Sequence, residues 1–290
     1  MFNPFNSPII RKDTKVISRS MKFSWGLFAY EAVLGLIFLI TMSVYDVSTR
    51  SFYNSSNANV YSGYMYFFAS VGAAQIGIIA LVVPIITASS ISGERERKTM
   101  DVLLTTITTP TSIILGKIGS AVIRVMTFVV ASIPLMSVAF IFGGLSWLKL
   151  LEYVIIAFFF ACLTGSIGIL CSAICKKSIT AIILSYVMYL GLYGLPFIIW
   201  LCEFLVKTSR RTYILAPTVM TIDPVYSILV FFVSCYSDID ALEPFVNTSN
   251  VVIDFFNNPT VWVTLSIIVQ SCLMIFFIVM AAKRIRPGKN

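Results

Sequence analysis

No histidine occurs anywhere in the 290-residue chain. That absence removes the side chain most used for acid–base catalysis near neutral pH, and the usual nitrogen ligand of zinc. Charge is scarce as well. Asp, Glu, Lys and Arg make up 12% of the residues, against about a quarter in soluble domains. A phosphate-cradling loop is also missing: Gly116–Lys117 is followed by Ile118 and lacks both the upstream glycine and the Ser/Thr of a P-loop. No intramembrane aspartate pair suggests an aspartyl protease. Of the six cysteines, only Cys235 lies near a polar loop. Cys162, Cys171, Cys175, Cys202 and Cys272 sit in apolar runs, where free thiols pack between helices. The expectation is a chain that is not an enzyme and that holds no metal or cofactor of its own.

Apolar sequence is what the chain has in abundance, with 58% hydrophobic residues and a mean hydropathy of +0.91. About 20 apolar residues cross a bilayer core as helix. By that measure six spans are expected: Ser24–Tyr45, Tyr64–Ala88, Ile113–Phe142, Leu148–Cys175, Ser178–Phe204 and Thr260–Ala282. The fold class is therefore an all-α integral membrane protein. A further apolar piece, Val225–Cys235, is too short to span and reads as a re-entrant or interfacial element between spans 5 and 6. The first twenty-odd residues lack the apolar core of a cleavable signal, so the first span is expected to direct membrane insertion.

Basic residues set the orientation. One side collects Arg11, Lys12, Lys15, Arg19 and Lys22, then Arg95, Arg97, Lys98 and Lys117, then Lys176 and Lys177, and finally Lys283, Arg284, Arg286 and Lys289. The other side has only Arg50, Lys149, Lys207, Arg210 and Arg211. Both termini are expected in the cytoplasm of a multi-pass plasma-membrane protein. Asp223, Asp238, Asp240, Glu243 and Asp254 then lie outside. This asymmetry accounts for the net charge of +8 without nucleic acid as a partner. Residues 1–23 carry Arg11, Lys15, Arg19 and Lys22 at helical spacing, the pattern of an amphipathic helix lying among lipid headgroups. The expected organisation is this elbow region (1–23), a six-span domain (24–282) and a basic tail (283–290).

Between spans 2 and 3 stands the densest group of charges, Glu94–Arg95–Glu96–Arg97–Lys98. Ser92 is a candidate N-cap, and the pairs Glu94/Lys98 and Arg97/Asp101 fall at i,i+4. Met100, Leu103, Leu104 and Ile107 share one face, with Glu94, Lys98, Asp101 and Thr105 opposite. Pro110 ends the pattern. A short amphipathic cytoplasmic helix is expected here, presenting a charged face to a partner.

Within the spans, ionisable residues are few: Glu31, Arg124 and, near an outer end, Glu152. Each is costly in hydrocarbon, so a partner is sought. Glu31 lies roughly 10 Å into span 1, and Arg124 is at about the same depth in span 3. A Glu31–Arg124 ion pair is expected, most simply as a structural tie between spans 1 and 3, with a conserving lock or a substrate-facing charge as the alternative. Pro84, Pro134 and Pro196 mark kinks in spans 2, 3 and 5.

The segment SISGERERKTMDVLLTTITTPTSIILGKIGSAVIR resembles the region between spans 2 and 3 of ABC exporter permeases whose membrane and ATP-binding chains are separate (type-two permeases). Gly93–Glu96, the Thr/Leu-rich Thr99–Thr106, Thr109–Pro110 and Gly116–Lys117 follow one another as in that family. The N-terminal basic stretch, DPVYSILVFF and the C-terminal KRIRPG also fit its layout. Where the family often has glycine before the threonine, this chain has Lys98. The resemblance implies that the cytoplasmic helix is a coupling helix docking on an ATP-binding subunit through Glu94, Arg95, Glu96, Arg97, Lys98, Asp101 and Thr105. It further implies two copies of that subunit, which carry ATP and Mg. A second permease, another copy or a paralogue, would complete the pathway within membrane lipid.

The resemblance leaves the cargo open. Spans read as apolar and uninterrupted by polar residues suit a hydrophobic or amphipathic compound, such as a peptide or antimicrobial. A non-transporting scaffold or sensor subunit of an ABC-like complex is the alternative. A channel or lone secondary transporter is disfavoured by the rarity of buried carboxylates.

Overall fold

A chain crossing hydrocarbon must satisfy its backbone amides internally, as a helix or a closed barrel. The apolar runs here are continuous, without the alternation of barrel strands, and helix is what forms. The computed structural model describes residues 20–52, 60–98, 110–143, 146–206, 219–236 and 259–285. Among these, all eight extended elements are helices: α1 Met21–Phe52, α2 Val60–Glu96, α3 Pro110–Ala131, α4 Ile133–Gly143, α5 Trp147–Ile174, α6 Ser178–Val206, α7 Pro224–Tyr236 and α8 Pro259–Ile285. Six segments are long and apolar enough to cross a membrane: Phe23–Val44, Phe67–Glu96, Thr111–Val138, Trp147–Ile174, Ser178–Ile199 and Val261–Arg284. The protein is a multi-pass membrane protein. The expected elbow lies almost wholly outside the described residues.

Two compact units divide the chain. The first comprises Met1–Val83 and Leu115–Ala161, the second Pro84–Ile114 and Cys162–Asn290. In the first unit, α1 buries Tyr30 and Leu34 while leaving Phe28, Leu36, Leu39 and Ile40 exposed. Such an apolar face is intolerable in water and ordinary against lipid. The third span bends, so that α3 gives way to α4 at Ser132. Pro134 is the cause, because it has no N–H for the carbonyl of Val130. The helical bonds on either side survive, from Ser132 N to Phe128 O (3.1 Å) and from Met136 N to Ser132 O (3.0 Å).

In the second unit, the stretch 163–173 of α5 is buried throughout. It is rich in small residues, which let helix backbones approach closely. At Gly168 the approach is closest: an added Cβ would collide with the Thr87 side chain and stand 3.2 Å from the backbone nitrogen of Ala88. On α6, Ile179, Ile183, Val187 and Leu190 form an exposed apolar stripe. α7, at 13 residues, is about 20 Å long and too short to span. Asp223 caps it, accepting the Val225 N–H on Oδ1 at 2.9 Å, and Pro224 opens its first turn as proline does best.

Candidate functional site

The charged group after span 2 does not begin a helix. It ends one, since α2 runs unbroken to Glu96. Ser92 is not an N-cap: it is fully buried mid-helix, and its hydroxyl donates back to Ala88 O at 2.8 Å. Ser89 and Ser90 do the same towards Ile85 O (2.8 Å) and Thr87 O (2.7 Å). Polar residues that bond to their own helix turn no longer demand water. The apolar stretch thus continues where its sequence suggests a stop. The Ser172 hydroxyl of α5 further accepts the N–H groups of Ile91 (3.0 Å) and Ser92 (2.9 Å).

Beyond this packed stretch, two of the expected docking residues bond to the ends of neighbouring helices. Arg95 donates to the carbonyls of Cys175 (2.9 Å) and Ala173 (3.3 Å), satisfying the C-terminal end of α5 where a cation is favoured. Glu96 accepts the backbone N–H of Ser178 (3.1 Å) and its hydroxyl (2.7 Å). This carboxylate therefore serves as an N-cap for α6 supplied from another helix. Arg95 and Glu96 together brace the turn at Lys176–Lys177. Glu94 is half-buried, Arg97 and Lys98 are exposed, and Lys98 has a left-handed backbone, φ 56°. Asp101 and Thr105, with the rest of the expected coupling helix, lie outside the described residues.

The Glu31–Arg124 pair is not formed. Oε1 of Glu31 is buried without a hydrogen-bond partner, while Arg124 has contacts of its own. Among the described residues the ion pair that does form is Lys149–Glu152, 3.0 Å apart and local to one turn of α5.

Uncharged polar residues within the spans correct the picture of an uninterrupted apolar interior. In the first unit, Gln75, Ser132 and Tyr153 are fully buried. Gln75 donates to the Ser132 hydroxyl (3.0 Å), and Tyr153 donates to Gln75 Oε1 (2.9 Å) and reaches Gly72 O at 3.1 Å. The clamp joins α2, the α3–α4 bend and α5. Nearby, Tyr30, Val33, Ile79, Val82, Val125 and Phe128 line an apolar groove of about 350 Å³, suited to hydrocarbon. In the second unit, Ser266 donates to the Ser227 hydroxyl (2.7 Å), and Gln270 donates to Ser227 (2.9 Å) and Ser266 (3.1 Å). These bonds fasten α7 to α8. The sequence signal was present, a lone glutamine in each apolar run, but a search confined to ionisable residues passes over it.

Asp223 departs from its expected place in a solvated outer loop. It is 8% exposed, and burial pushes its carboxyl up to about 6 despite the hydrogen bonds from Val225 and Tyr226. Its charge bears on Tyr189 and Tyr193 of α6. Both tyrosine hydroxyls are buried with no hydrogen-bond partner.

Six spans, a braced helix end leading into the segment between spans 2 and 3, and a capped short helix before the last span are thus in place. Against curated proteins the chain finds no match. The family model for "ABC-2 family transporter protein" matches residues 8–282, nearly the whole length. The chain belongs to that family, as a membrane permease component of an ABC transporter.

Proposed function

We propose that this permease is half of an ATP-driven exporter, coupled to a separate ATP-binding subunit that docks on the segment following Glu96. ATP and Mg would be held by that partner in two copies, on the cytoplasmic side. A second permease, identical or paralogous, would complete a path for an amphipathic compound. The brace supports this reading. Residues 99–109 directly follow a helix end tied to both α5 and α6 through Arg95 and Glu96. A push on that segment would be delivered to three helices together rather than absorbed by a slack loop.

The brace also changes which residues test docking. Glu96→Lys would uncap α6 and confuse docking with folding. Arg97→Glu combined with Asp101→Lys alters the charged surface and leaves the brace alone. Co-purification of the ATP-binding subunit should fall at least tenfold in this variant, with membrane insertion unchanged. Undiminished co-purification, or cargo-stimulated ATP hydrolysis equal to wild type in vesicles, would place docking elsewhere.

A further inference from the structure

The first unit leaves an apolar hollow that its own side chains do not fill. Gly26, Tyr30 and Val33 of α1 meet Ile79 of α2 and Val125 and Phe128 of α3 around the groove of about 350 Å³. Aromatic packing sets one wall: the Phe128 ring lies edge-on to Phe23, centroids 5.3 Å apart, and to Tyr30, 5.2 Å apart. At Gly26 an added Cβ would meet nothing within 4 Å, so the hollow begins at the surface of α1 itself. The groove is also joined to the bend in span 3. Phe128 O accepts the Ser132 N–H (3.1 Å), and Val129 O, on the groove wall, accepts the Ser132 hydroxyl (2.9 Å). Gln75 of α2 donates to that same hydroxyl at 3.0 Å.

We infer that this groove is a binding site for one acyl chain of a bilayer phospholipid, seated beside the bend in span 3. Water does not suit it, because a water molecule needs about two to four polar partners and the lining offers hydrocarbon. An empty groove would forfeit the dispersion contacts of its walls. The volume is at the small end of ligand pockets, about 300–1,000 Å³, which suits a single chain and not a whole peptide. The rim is continuous with the lipid-facing side of α1, where Val33, Leu36 and Ile40 are exposed. Depth favours a lipid as well. Gly26 and Val33 lie three and ten residues beyond Phe23, where the apolar span begins. The groove thus runs from about 5 to about 15 Å into the bilayer core, the depth of the chains of one leaflet. A chain held there packs against Phe128 and Val129, whose carbonyls hold Ser132, and so steadies the bend. The assignment does not rest on the export reading.

The test counts retained lipid by native mass spectrometry of the full chain, moved from nanodiscs of a single phosphatidylcholine into mild detergent. Wild type should keep one phospholipid per chain. Gly26→Leu fills the groove and should lower that occupancy severalfold. Gly77→Leu, at a position on α2 equally open to an added side chain but outside the groove, should leave it unchanged. If Gly26→Leu does not fold, Ala29→Leu fills the same groove and decides. Hydrogen exchange reads the bend: the Ser132 and Met136 amides should exchange severalfold more slowly when lipid is returned to delipidated wild type, with no such response in the filled variant. Equal retention in wild type and the filled variants would mean annular lipid only and overturn the site. Retention of detergent in place of phospholipid, or equal loss in Gly77→Leu, would overturn it too. Exchange that ignores lipid in wild type would overturn the link to the bend.

Discussion

α6 begins and continues in opposite circumstances. At Ser178 every polar group has been answered: Glu96 takes both the backbone N–H and the hydroxyl, and Arg95 closes the preceding helix end. Eleven to fifteen residues on, the hydroxyls of Tyr189 and Tyr193 are buried with no hydrogen-bond partner. The first arrangement is that of a joint, in which satisfied bonds fix one geometry. The second leaves buried polar groups unanswered, at a cost to stability. A single helix connects them. Disturbing the joint should cost stability, whereas disarming the open cluster should return it.

The largest effect is expected at Asp223. Its carboxyl is raised from 3.8 to about 6, so the folded protein holds a proton that the unfolded chain gives up. The contribution of Asp223 to stability is then fully present below about pH 4 and is lost as pH rises through 6, the reverse of a salt-bridged aspartate. A shift of about two units corresponds to about 3 kcal/mol. Asp223→Asn should raise the thermal midpoint at pH 7.5 and remove the part of the pH dependence between 4 and 6 that Asp223 contributes. A variant less stable than wild type at pH 7.5 would show that the carboxylate is already compensated, and the contrast along α6 would disappear.

Next comes a pair of glycines. Gly168→Ala places a methyl group against Thr87 and the Ala88 backbone, where α2 and α5 lie closest. Overpacking of this kind costs about 1–3 kcal/mol, and it should also loosen the brace about two turns further on. Gly194, beside Tyr193 on α6, has nothing within 4 Å of the same added atom. There alanine should be neutral or stabilising by up to about 1 kcal/mol, from helix propensity alone. Thermal midpoints in nanodiscs read both. Equal losses at the two positions would mean that the packed and open ends are not different in kind.

Much of this architecture is legible in the residues, and the failures have physical causes. Six apolar runs announce the spans because hydrocarbon permits little else, and α7 betrays itself by being apolar yet 13 residues long. The end of span 2 misleads because Ser89, Ser90 and Ser92 look like solvent-seeking residues, while in the helix each satisfies itself on a carbonyl behind it. Glu94–Glu96 then fits a helix start, though the carboxylate at 96 caps a different helix 82 residues away. Asp223 reads as a loop residue because burial depends on where α7 folds back, which no local pattern states. The polar clamps were missed because glutamine and serine pair across helices, and pairing is a property of packing.

The smallest effect concerns Lys98. α2 ends at Glu96, and Lys98 takes the left-handed conformation, φ 56°, with its N–H donating to Arg95 O at 3.2 Å. That is the position where helices favour glycine, which has no Cβ to crowd the following carbonyl. Lysine holds it at a cost of about 1 kcal/mol, so Lys98→Gly should raise the midpoint by roughly 2–4 °C. Lys98→Ala removes the same charge and keeps the Cβ, so it should bring no such gain. If both variants bind the ATP-binding subunit more weakly while only glycine stabilises, the strain is retained for the sake of the charge. If glycine and alanine behave alike, the backbone at Lys98 carries no strain and the joint at the start of α6 is fully relaxed.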